Sequence, residues 1–364
     1  MMKVLMINTV PMERNGITNV LCNVIENIDH RDIIIDCVAI NTPDVKYKNL
    51  LKQNGGEIYV IPNRLSKPHV YVKKLSELIR RNKYDAIHAH GNSHTLALEM
   101  MAAKIAGCPF RIAHSHTTTC KYKFVDKIMT PLFELLCTDR IACGIEAGKW
   151  LFGKKKFWVL NNGIDTDRFR FNHEARDGIR KKYHIDDDIL LVGHVGEFND
   201  YKNQEFLVSV FAEIVKKRKA CLLLIGKGPR QETIRNKVNE LGINKNVIFA
   251  GVVDNVNDYL SAIDIIVMPS LHEGLPLSLV EEQASGLVCY VSDFITSEVN
   301  ITGNTHFLPI NIGEKEWADT IIGKYNECDR DYVSDRAISL ICKEGYSIKH
   351  EVAKLQSYYL GRNK

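Results

Sequence analysis

The sequence lacks the features that mark secreted and membrane-spanning proteins. None of its apolar runs approaches the roughly 20 residues needed to cross a bilayer. The opening MMKVLMINTV has one lysine and a short apolar run without a small-residue cleavage site, which predicts a first strand and no signal peptide. The ten cysteines are scattered without a CxxC pair, which indicates reduced, buried thiols. We therefore expect a cytoplasmic protein.

Complete cofactor and metal motifs are also lacking. LLIGKGP (223–229) lacks the full GxGxxG and has a proline after its second glycine, which argues against an NAD enzyme. The acidic run 186–188 imitates a metal-binding DxD, but a solvated turn before a strand explains it more simply. The histidines of HAH (88–90) and HSH (114–116) could bind zinc, line a cleft as hydrogen bonders, or pack. No acid or cysteine is obviously supplied near them, so we expect no metal and no cofactor.

What the chain does contain is an alternation of apolar, β-branched runs with helical patterns. The runs are KVLMINTV (3–10), IIIDCVAI (33–40), EIYVIP (57–62), AIHAH (86–90), RIAHSH (111–116), RIACG (140–144), ILLVGHVG (189–196), ACLLLIG (220–226), NVIFAG (246–251), DIIVMPS (264–270) and LVCYVSD (287–293). Short continuous apolar strands separated by helices predict parallel sheets buried on both faces. The predicted fold class is therefore α/β, with ligands at the carboxyl ends of the strands.

The alternation is interrupted once, by the polar segment 165–188, and then restarts. A chain of 364 residues also exceeds the comfortable size of one core. We therefore predict an N-terminal Rossmann-like domain over residues 1–168 and a second over 169–330. Residues 331–364 are helical in pattern, and we expect these helices to pack back toward the N-terminal domain.

Charge is unevenly divided between the two halves. Residues 1–168 contain 24 Lys and Arg against 16 Asp and Glu, whereas the remainder contains 24 against 28, so the net charge of +4 conceals a basic first half. KYK (121–123) and GKKK (153–156) are clusters within it. Such a half could face an anionic membrane or an anionic acceptor, and a plain solvated surface is the alternative. We expect no nucleic-acid partner.

The segment HEGLPLSLVEEQASG (272–286) combines a helix start with three carboxylates. Its proline and glycine predict a helix over 276–285, whose first free amides suit a phosphate. At about 100° per residue, Glu281 lies at the edge of the apolar arc and can face a groove, whereas Glu282 points away. We therefore expect Glu282 in solvent. Glu273 follows the preceding strand and suits sugar hydroxyls, so a nucleotide sugar matches this layout.

Two glutamates separated by seven residues, after a strand ending in Pro-Ser, resemble the signature of glycosyltransferase family 4. VLNNGID (159–165) is similar to the family's interdomain segment, and LLIGKGP to its Gly-x-Gly-Pro turn. RIACGIEAGKWLFG (140–153) and RIAHSHTTT (111–119) resemble the branch that builds bacterial capsular and exopolysaccharides. The resemblance implies the GT-B fold, two doubly wound Rossmann-like domains facing across a cleft, and a retaining, metal-independent transfer.

The resemblance also implies roles for single residues. Glu281 would bind the ribose hydroxyls and Glu273 a hydroxyl of the donor sugar. Lys202 matches the family's diphosphate-binding lysine, whereas Glu197 stands where relatives have an arginine. His116 matches the family's cleft histidine and completes the expected catalytic set with Lys202 and Glu273. The other expected donor contacts are Gly16, Gly226, Val252, Val253, Gly274, Leu275, Pro276, Leu277 and Ser278, and those on the acceptor side are His90, His114 and Thr117.

We therefore expect a retaining transferase that moves a hexose from a nucleotide diphosphate sugar, with UDP favoured, to a glycan acceptor. The expected acceptor is lipid-linked, and the basic first half suits a peripheral position at the inner face of the plasma membrane. One alternative is a nucleotide-sugar epimerase of the same fold. The other is a non-catalytic partner subunit, suggested by the carboxylate at Glu197.

Overall fold

The computed structural model describes residues 1–13, 15–273, 275–326 and 328–361. The chain divides into two compact units. The first comprises Met1–Gly163 together with Ile348–Lys364, and the second comprises Ile164–Ser347. The two boundaries that we expected from the sequence, after residues 168 and 330, therefore both lie within the second unit.

The first unit is built around one parallel sheet. Its strands are β1 (Met2–Asn8), β2 (Ile33–Ala39), β3 (Ile58–Val60), β4 (Ala86–His90), β5 (Phe110–Ser115), β6 (Asp139–Ala142) and β7 (Trp158–Val159). The helices between them are α1 (Gly16–Asn27), α2 (Val45–Gln53), α3 (Pro68–Asn82), α4 (Ala97–Ala106), α5 (Lys123–Leu136) and α6 (Ile145–Phe152). The strand order is β3-β2-β1-β4-β5-β6-β7. The order reverses between β1 and β4, and sheets of this type bind ligands at the carboxyl ends of such strands.

Alternation along β1 shows how this sheet builds two cores. Val4 and Met6 belong to one buried cluster, and Leu5 and Ile7 belong to another. Successive side chains of a strand point to opposite faces, so a continuous apolar run supplies both faces at once. The neighbouring β4 is likewise buried at every position.

The second unit repeats this plan. Its strands are β8 (Leu190–Val195), β9 (Ala220–Ile225), β10 (Val247–Gly251), β11 (Ile265–Met268), β12 (Val288–Ser292) and β13 (Thr305–Leu308). Its helices are α7 (His173–Tyr183), α8 (Gln204–Val215), α9 (Gln231–Glu240), α10 (Val256–Ala262), α11 (Leu277–Ala284), α12 (Glu314–Lys324) and α13 (Arg330–Lys343). The strands are parallel in the order β10-β9-β8-β11-β12-β13. The switch point lies between β8 and β11.

The last helix, α14 (Ile348–Gly361), belongs to the first unit. It packs on α1 and adds Val352, Leu355 and Tyr359 to the core on one face of the first sheet. The side chains of Ala86 and His88 in β4 point to this same face because they are two residues apart. α14 therefore covers the histidine-bearing face of the sheet.

The predicted α/β class with two parallel, Rossmann-like halves is confirmed. Every apolar run identified above overlaps a strand. The sequence pattern missed β7, which has only two residues, and β13, whose four residues, THFL, include two polar side chains and give no apolar run. Across the residues that the structure describes, none of the helices has the length and apolar character to span a membrane.

Candidate functional site

In the second unit, the switch point brings Lys202 and Glu273 together. Glu273 follows β11, and Lys202 lies in the loop between β8 and α8. Lys202 Nζ is 2.5 Å from Glu273 Oε1, and the two side chains are only 17% and 15% exposed. The structure therefore unites two of the three residues that the sequence predicted as catalytic.

Glycines let the backbone approach closely at this edge. A Cβ on Gly196 would lie 3.3 Å from Lys202 Cε, so the lysine stem passes directly over this glycine. Gly226 has φ +133, and a Cβ on it would lie 2.0 Å from the Gly196 oxygen. Only glycine satisfies both the backbone angle and this spacing. Gly226 thus fits the loop after β9 against the loop after β8.

The N-terminus of α11 borders the same edge. Pro276 is its N-cap, and no side chain of the described chain caps this end by a hydrogen bond. Leu277 and Ser278 are partly exposed, so their amides at the positive end of the helix dipole are available to an anion. One turn later Glu281 is partly buried, and burial raises its pKa to about 7, against the opposing charge of Arg168. Its carboxyl is therefore readily protonated near neutral pH.

Glu282 differs from our expectation. It is completely buried, and within the described residues neither of its carboxyl oxygens has a hydrogen-bond partner. The reason is that α11 is enclosed between β12 and α13, so it has more than the one buried face that we assumed. Burial raises the pKa of Glu282 well above its usual range, although the charge of Lys202 opposes this. The expectation that Glu282 lies in solvent was wrong.

Glu197, at the position where relatives have an arginine, is exposed. Its carboxylate accepts a hydrogen bond from Asn199 Nδ2 at 3.1 Å, and its backbone oxygen accepts one from Gln204 Nε2 at 2.8 Å. Lys227, a basic residue that could compensate for the missing arginine, is also exposed and lies beside Gly226. In this conformation the carboxylate of Glu197 is directed to solvent.

The remaining residues expected to contact the donor lie around the strand ends. Val252 and Val253 follow β10, the first exposed and the second partly buried. Leu275 is partly buried just before Pro276. Gly274 lies outside the described residues.

In the first unit, four histidines form a cluster at the carboxyl ends of β4 and β5. His88 Nε2 lies 3.2 Å from His114 Nδ1, and His90 Nδ1 lies 3.0 Å from His116 Nε2. Neighbouring rings stack or tilt at centroid distances of 4.2 to 5.2 Å. Tyr359 of α14 closes the inner end, with its hydroxyl 2.5 Å from His88 Nδ1. Sequence reasoning missed Tyr359, because nothing local relates it to a strand far away in the chain.

These imidazoles are electrically neutral. Burial lowers the pKa of His88 and of His116 to about 3, and those of His90 and His114 well below the usual value. The Nε2 atoms of His90 and His114 and the Nδ1 atom of His116 have no partner among the described residues. They are buried as well, so they are unpaired polar atoms inside the cluster.

The same cluster bears on metal binding. Ring nitrogens of His88, His90 and His114 lie within 4.8 Å of one another, which is the one such grouping found in the described part of the chain. Two of these rings already hydrogen-bond each other, so a metal would have to break that contact.

Two further predicted residues belong to the first unit. Gly16 is the first residue of α1, after the N-cap Asn15, whose side chain accepts from the Thr18 amide. A Cβ on Gly16 would meet nothing within 4 Å of the described structure, so packing alone does not require glycine there. Thr117 is exposed, with its hydroxyl 3.1 Å from the Thr119 oxygen.

Comparison with known proteins decides the family. Residues 14–168 match the model of Glycosyltransferase Family 4, and residues 188–326 match that of Glycosyl transferases group 1. The putative glycosyltransferase EpsF of Bacillus subtilis (strain 168) is 30% identical over 369 residues, covering 96% of this chain and 94% of EpsF. The chain belongs to glycosyltransferase family 4.

Two further relatives are glycosyltransferases by name. The UDP-Gal:alpha-D-GlcNAc-diphosphoundecaprenol alpha-1,3-galactosyltransferase of Escherichia coli is 25% identical, over 79% of this chain and 78% of that protein. The capsular polysaccharide biosynthesis glycosyltransferase CapH of Staphylococcus aureus is 25% identical, over 72% and 74%. This chain is therefore a glycosyltransferase whose relatives include enzymes of polysaccharide synthesis.

The fold agrees with this assignment. Crystal structures of Anabaena Alr3699/HepE in complex with UDP and with UDP-glucose match with TM-scores of 0.78 and 0.76, at 18% identity. The match covers 98% of this chain and 100% of HepE. The two Rossmann-like halves of this chain are thus of the GT-B type.

Proposed function

We propose that this glycosyltransferase moves a hexose from a UDP-sugar to a lipid-linked glycan, with retention of configuration and without a metal ion. The observation that carries the proposal is the pairing of Lys202 with Glu273 beside the uncapped N-terminus of α11. Positive charge for a diphosphate and a carboxylate for a sugar meet there at one switch point.

The donor would use these groups separately. Lys202 and the amides of Leu277 and Ser278 bind the diphosphate, and Glu281 accepts hydrogen bonds from the ribose hydroxyls. Glu273 accepts a hydrogen bond from a hydroxyl of the sugar and holds the Lys202 ammonium in place. Glu197 is given no role in this set, because a carboxylate repels a diphosphate.

The reaction needs charge stabilisation above all. As the bond from the anomeric carbon to the diphosphate breaks, that oxygen gains negative charge and the sugar becomes oxocarbenium-like. Lys202 and the helix amides stabilise the leaving oxygen, by analogy with oxyanion holes at about 3 kcal/mol for each donor. The acceptor hydroxyl then attacks from the same face, and its proton passes to the leaving phosphate. Atoms and charge balance without a protein nucleophile or a metal.

The histidine cluster would serve the acceptor side. His116 is partly exposed beside Thr117, and His90 and His114 lie behind it. Neutral imidazoles can donate hydrogen bonds to sugar hydroxyls, or accept hydrogen bonds from them, without placing positive charge beside the oxocarbenium ion. We therefore assign His116 to orientation of the reacting sugars.

The choice of donor, acceptor and location is supported by relatives and by charge. HepE was crystallised with UDP and UDP-glucose, and the Escherichia coli relative is named for a UDP-sugar donor and a diphosphoundecaprenol acceptor. The basic first half of the chain suits the anionic cytoplasmic leaflet where such a carrier resides. A cytoplasmic enzyme in peripheral contact with the membrane follows from the proposal.

The test is transfer with defined substrates. The protein is incubated with UDP-, GDP- and ADP-sugars, with and without a GlcNAc-diphospho-lipid acceptor, in EDTA and in Mg²⁺ or Mn²⁺. Mass spectrometry identifies products, and NMR gives the anomeric configuration. We expect an acceptor-dependent product from a UDP-sugar, with retained configuration and full activity in EDTA. An epimerised sugar nucleotide formed without acceptor contradicts the transfer reaction, and the absence of any nucleotide-dependent thermal shift favours a non-catalytic subunit.

A further inference from the structure

Helix α5 of the first unit presents an apolar stripe to solvent. Phe124, Ile128 and Leu135 are 78%, 60% and 79% exposed, and Pro131 between them is exposed as well. Their spacing of four, three and four residues places all four within an arc of about 60° on the helix surface. An apolar stripe at helical spacing normally faces the core, so its exposure indicates a binding surface.

The stripe is not exposed because the helix is loosely attached. The opposite side of α5 buries Phe133 and Leu136 in the core of the first unit. On the same side, Asp126 Oδ1 accepts a hydrogen bond from the His94 amide at 2.6 Å. α5 is therefore anchored in one orientation that leaves the stripe outside.

The charges around the stripe are of one sign. Lys121, Lys123 and Lys127 are exposed at and near its N-terminal end. The acidic residues of the helix are directed elsewhere: Asp126 binds His94, and Glu134 forms an ion pair with Arg140 at 2.9 Å. The outer surface of α5 thus combines large apolar side chains with positive charge.

We propose that α5 binds the surface of a bilayer that contains anionic phospholipid. The helix lies parallel to the surface, with Phe124, Ile128 and Leu135 at the boundary of headgroups and acyl chains. The lysines contact the anionic headgroups. A second copy of the chain fits less well, because two such stripes packed together would bring the lysines of both copies close to one another.

This surface also explains how a lipid-linked acceptor would reach the enzyme, an extension that rests on the proposed function. α5 follows directly after the loop that carries His116 and Thr117 at the carboxyl end of β5. A helix bound at the headgroup level would hold this edge of the first sheet near the membrane. The head of an acceptor anchored in the same bilayer would then lie within reach of His116.

The test is sedimentation of the full chain with vesicles of phosphatidylcholine alone and of phosphatidylcholine with phosphatidylglycerol. We expect binding to the anionic vesicles that weakens with added salt. Phe124→Gln with Ile128→Gln should reduce the partition coefficient at least about tenfold, because two large apolar side chains no longer enter the bilayer. Lys123→Gln with Lys127→Gln should remove the preference for phosphatidylglycerol.

The control is Tyr332→Gln, which replaces a 66% exposed aromatic residue of the second unit and should leave binding unchanged. Thermal melting of each variant verifies folding. Equal binding by the wild type and the Phe124/Ile128 variant overturns the proposal, as does the absence of binding to anionic vesicles at low salt. A dimer in light scattering that dissociates in this variant, without vesicle binding, would identify a second copy as the partner.

The membrane proposal and the transfer reaction can fail separately. Transfer to a water-soluble acceptor is measured in parallel, and the stripe variants should retain it. If a stripe variant loses vesicle binding but still transfers sugar to the water-soluble acceptor, the change has affected only the membrane contact of α5. Vesicle binding without any transfer by the wild type contradicts only the proposed reaction.

Discussion

Lys202 and Glu273 form an ion pair at the switch point of the second sheet, with 2.5 Å between Nζ and Oε1. An exposed ion pair of a lysine and a carboxylate contributes little to stability. Here, however, both side chains are mostly buried and lie beside a helix N-terminus. The pair holds a positive charge in a fixed position where the proposed diphosphate leaves. The pair therefore matters more for holding the ammonium in position before the reaction than for the stability of the fold.

Lys202→Met should lower kcat by about 10²–10³, the loss seen when one donor to a developing oxyanion is removed. Donor KM should rise less, because the charge to be stabilised is greatest in the transition state. Lys245→Met is the control, since Lys245 is an exposed lysine of the second unit away from this site. Equal kinetics for the two variants would refute the role of Lys202. Lys227→Met shows separately whether that exposed lysine also contributes.

Glu281→Ala should weaken UDP binding by about 10–100-fold, the effect of losing hydrogen bonds to a charged group. Titration calorimetry measures it, with Glu240→Ala as an exposed control on α9. Burial raises the pKa of Glu281 to about 7, so the carboxylate form is lost below that pH. Wild-type affinity should therefore decline from pH 8 to pH 6, while that of Glu281→Gln stays nearly constant. A pH-independent affinity in the wild type would contradict this assignment.

Glu282→Gln should stabilise the protein at alkaline pH. Because burial raises the pKa of Glu282, the folded state favours the neutral acid. The contribution of this group to the free energy of unfolding is fully present below the pKa of a glutamate in the unfolded chain, about 4.3. This contribution is lost as the pH rises toward the higher pKa of Glu282 in the folded state. The melting temperature of the variant should exceed that of the wild type at pH 8, by about 2–4 °C for each kcal/mol recovered, and match it near pH 4. A destabilised variant at pH 8 would mean that the ionised carboxylate has a stabilising partner.

His116→Asn should reduce glycosyl transfer without changing UDP affinity. The proposed UDP site lies in the second unit, whereas His116 belongs to the first. Transfer rates and calorimetric UDP binding separate the two effects, and His69→Asn, an exposed histidine of the first unit, is the control. Weaker UDP binding with an unchanged maximal rate would place His116 in nucleotide recognition.

Much of the fold could be predicted from local sequence, because strands and helix starts are marked by patterns of neighbouring residues. Strands such as AIHAH and ACLLLI are buried at every position, and a continuous apolar run is the pattern that burial on both faces requires. The start of α11 was equally readable from Pro276. Hydrophobic period and composition could not reveal β13, because its own residues form no strand pattern. Its pairing with β12 makes it a strand.

The sequence alone determined the two parallel sheets and the residues at their carboxyl ends, because apolar period and terminal glycines are local properties. Tertiary structure decided what each charge contacts. Helical periodicity gave the angle of Glu282 but not the presence of α13 beyond it, and so it placed in solvent a carboxyl that is fully buried. The bond from Tyr359 to His88 and the exposure of the α5 stripe likewise depend on elements distant in the chain. Burial and pairing are properties of neighbours, and only the folded chain supplies the neighbours.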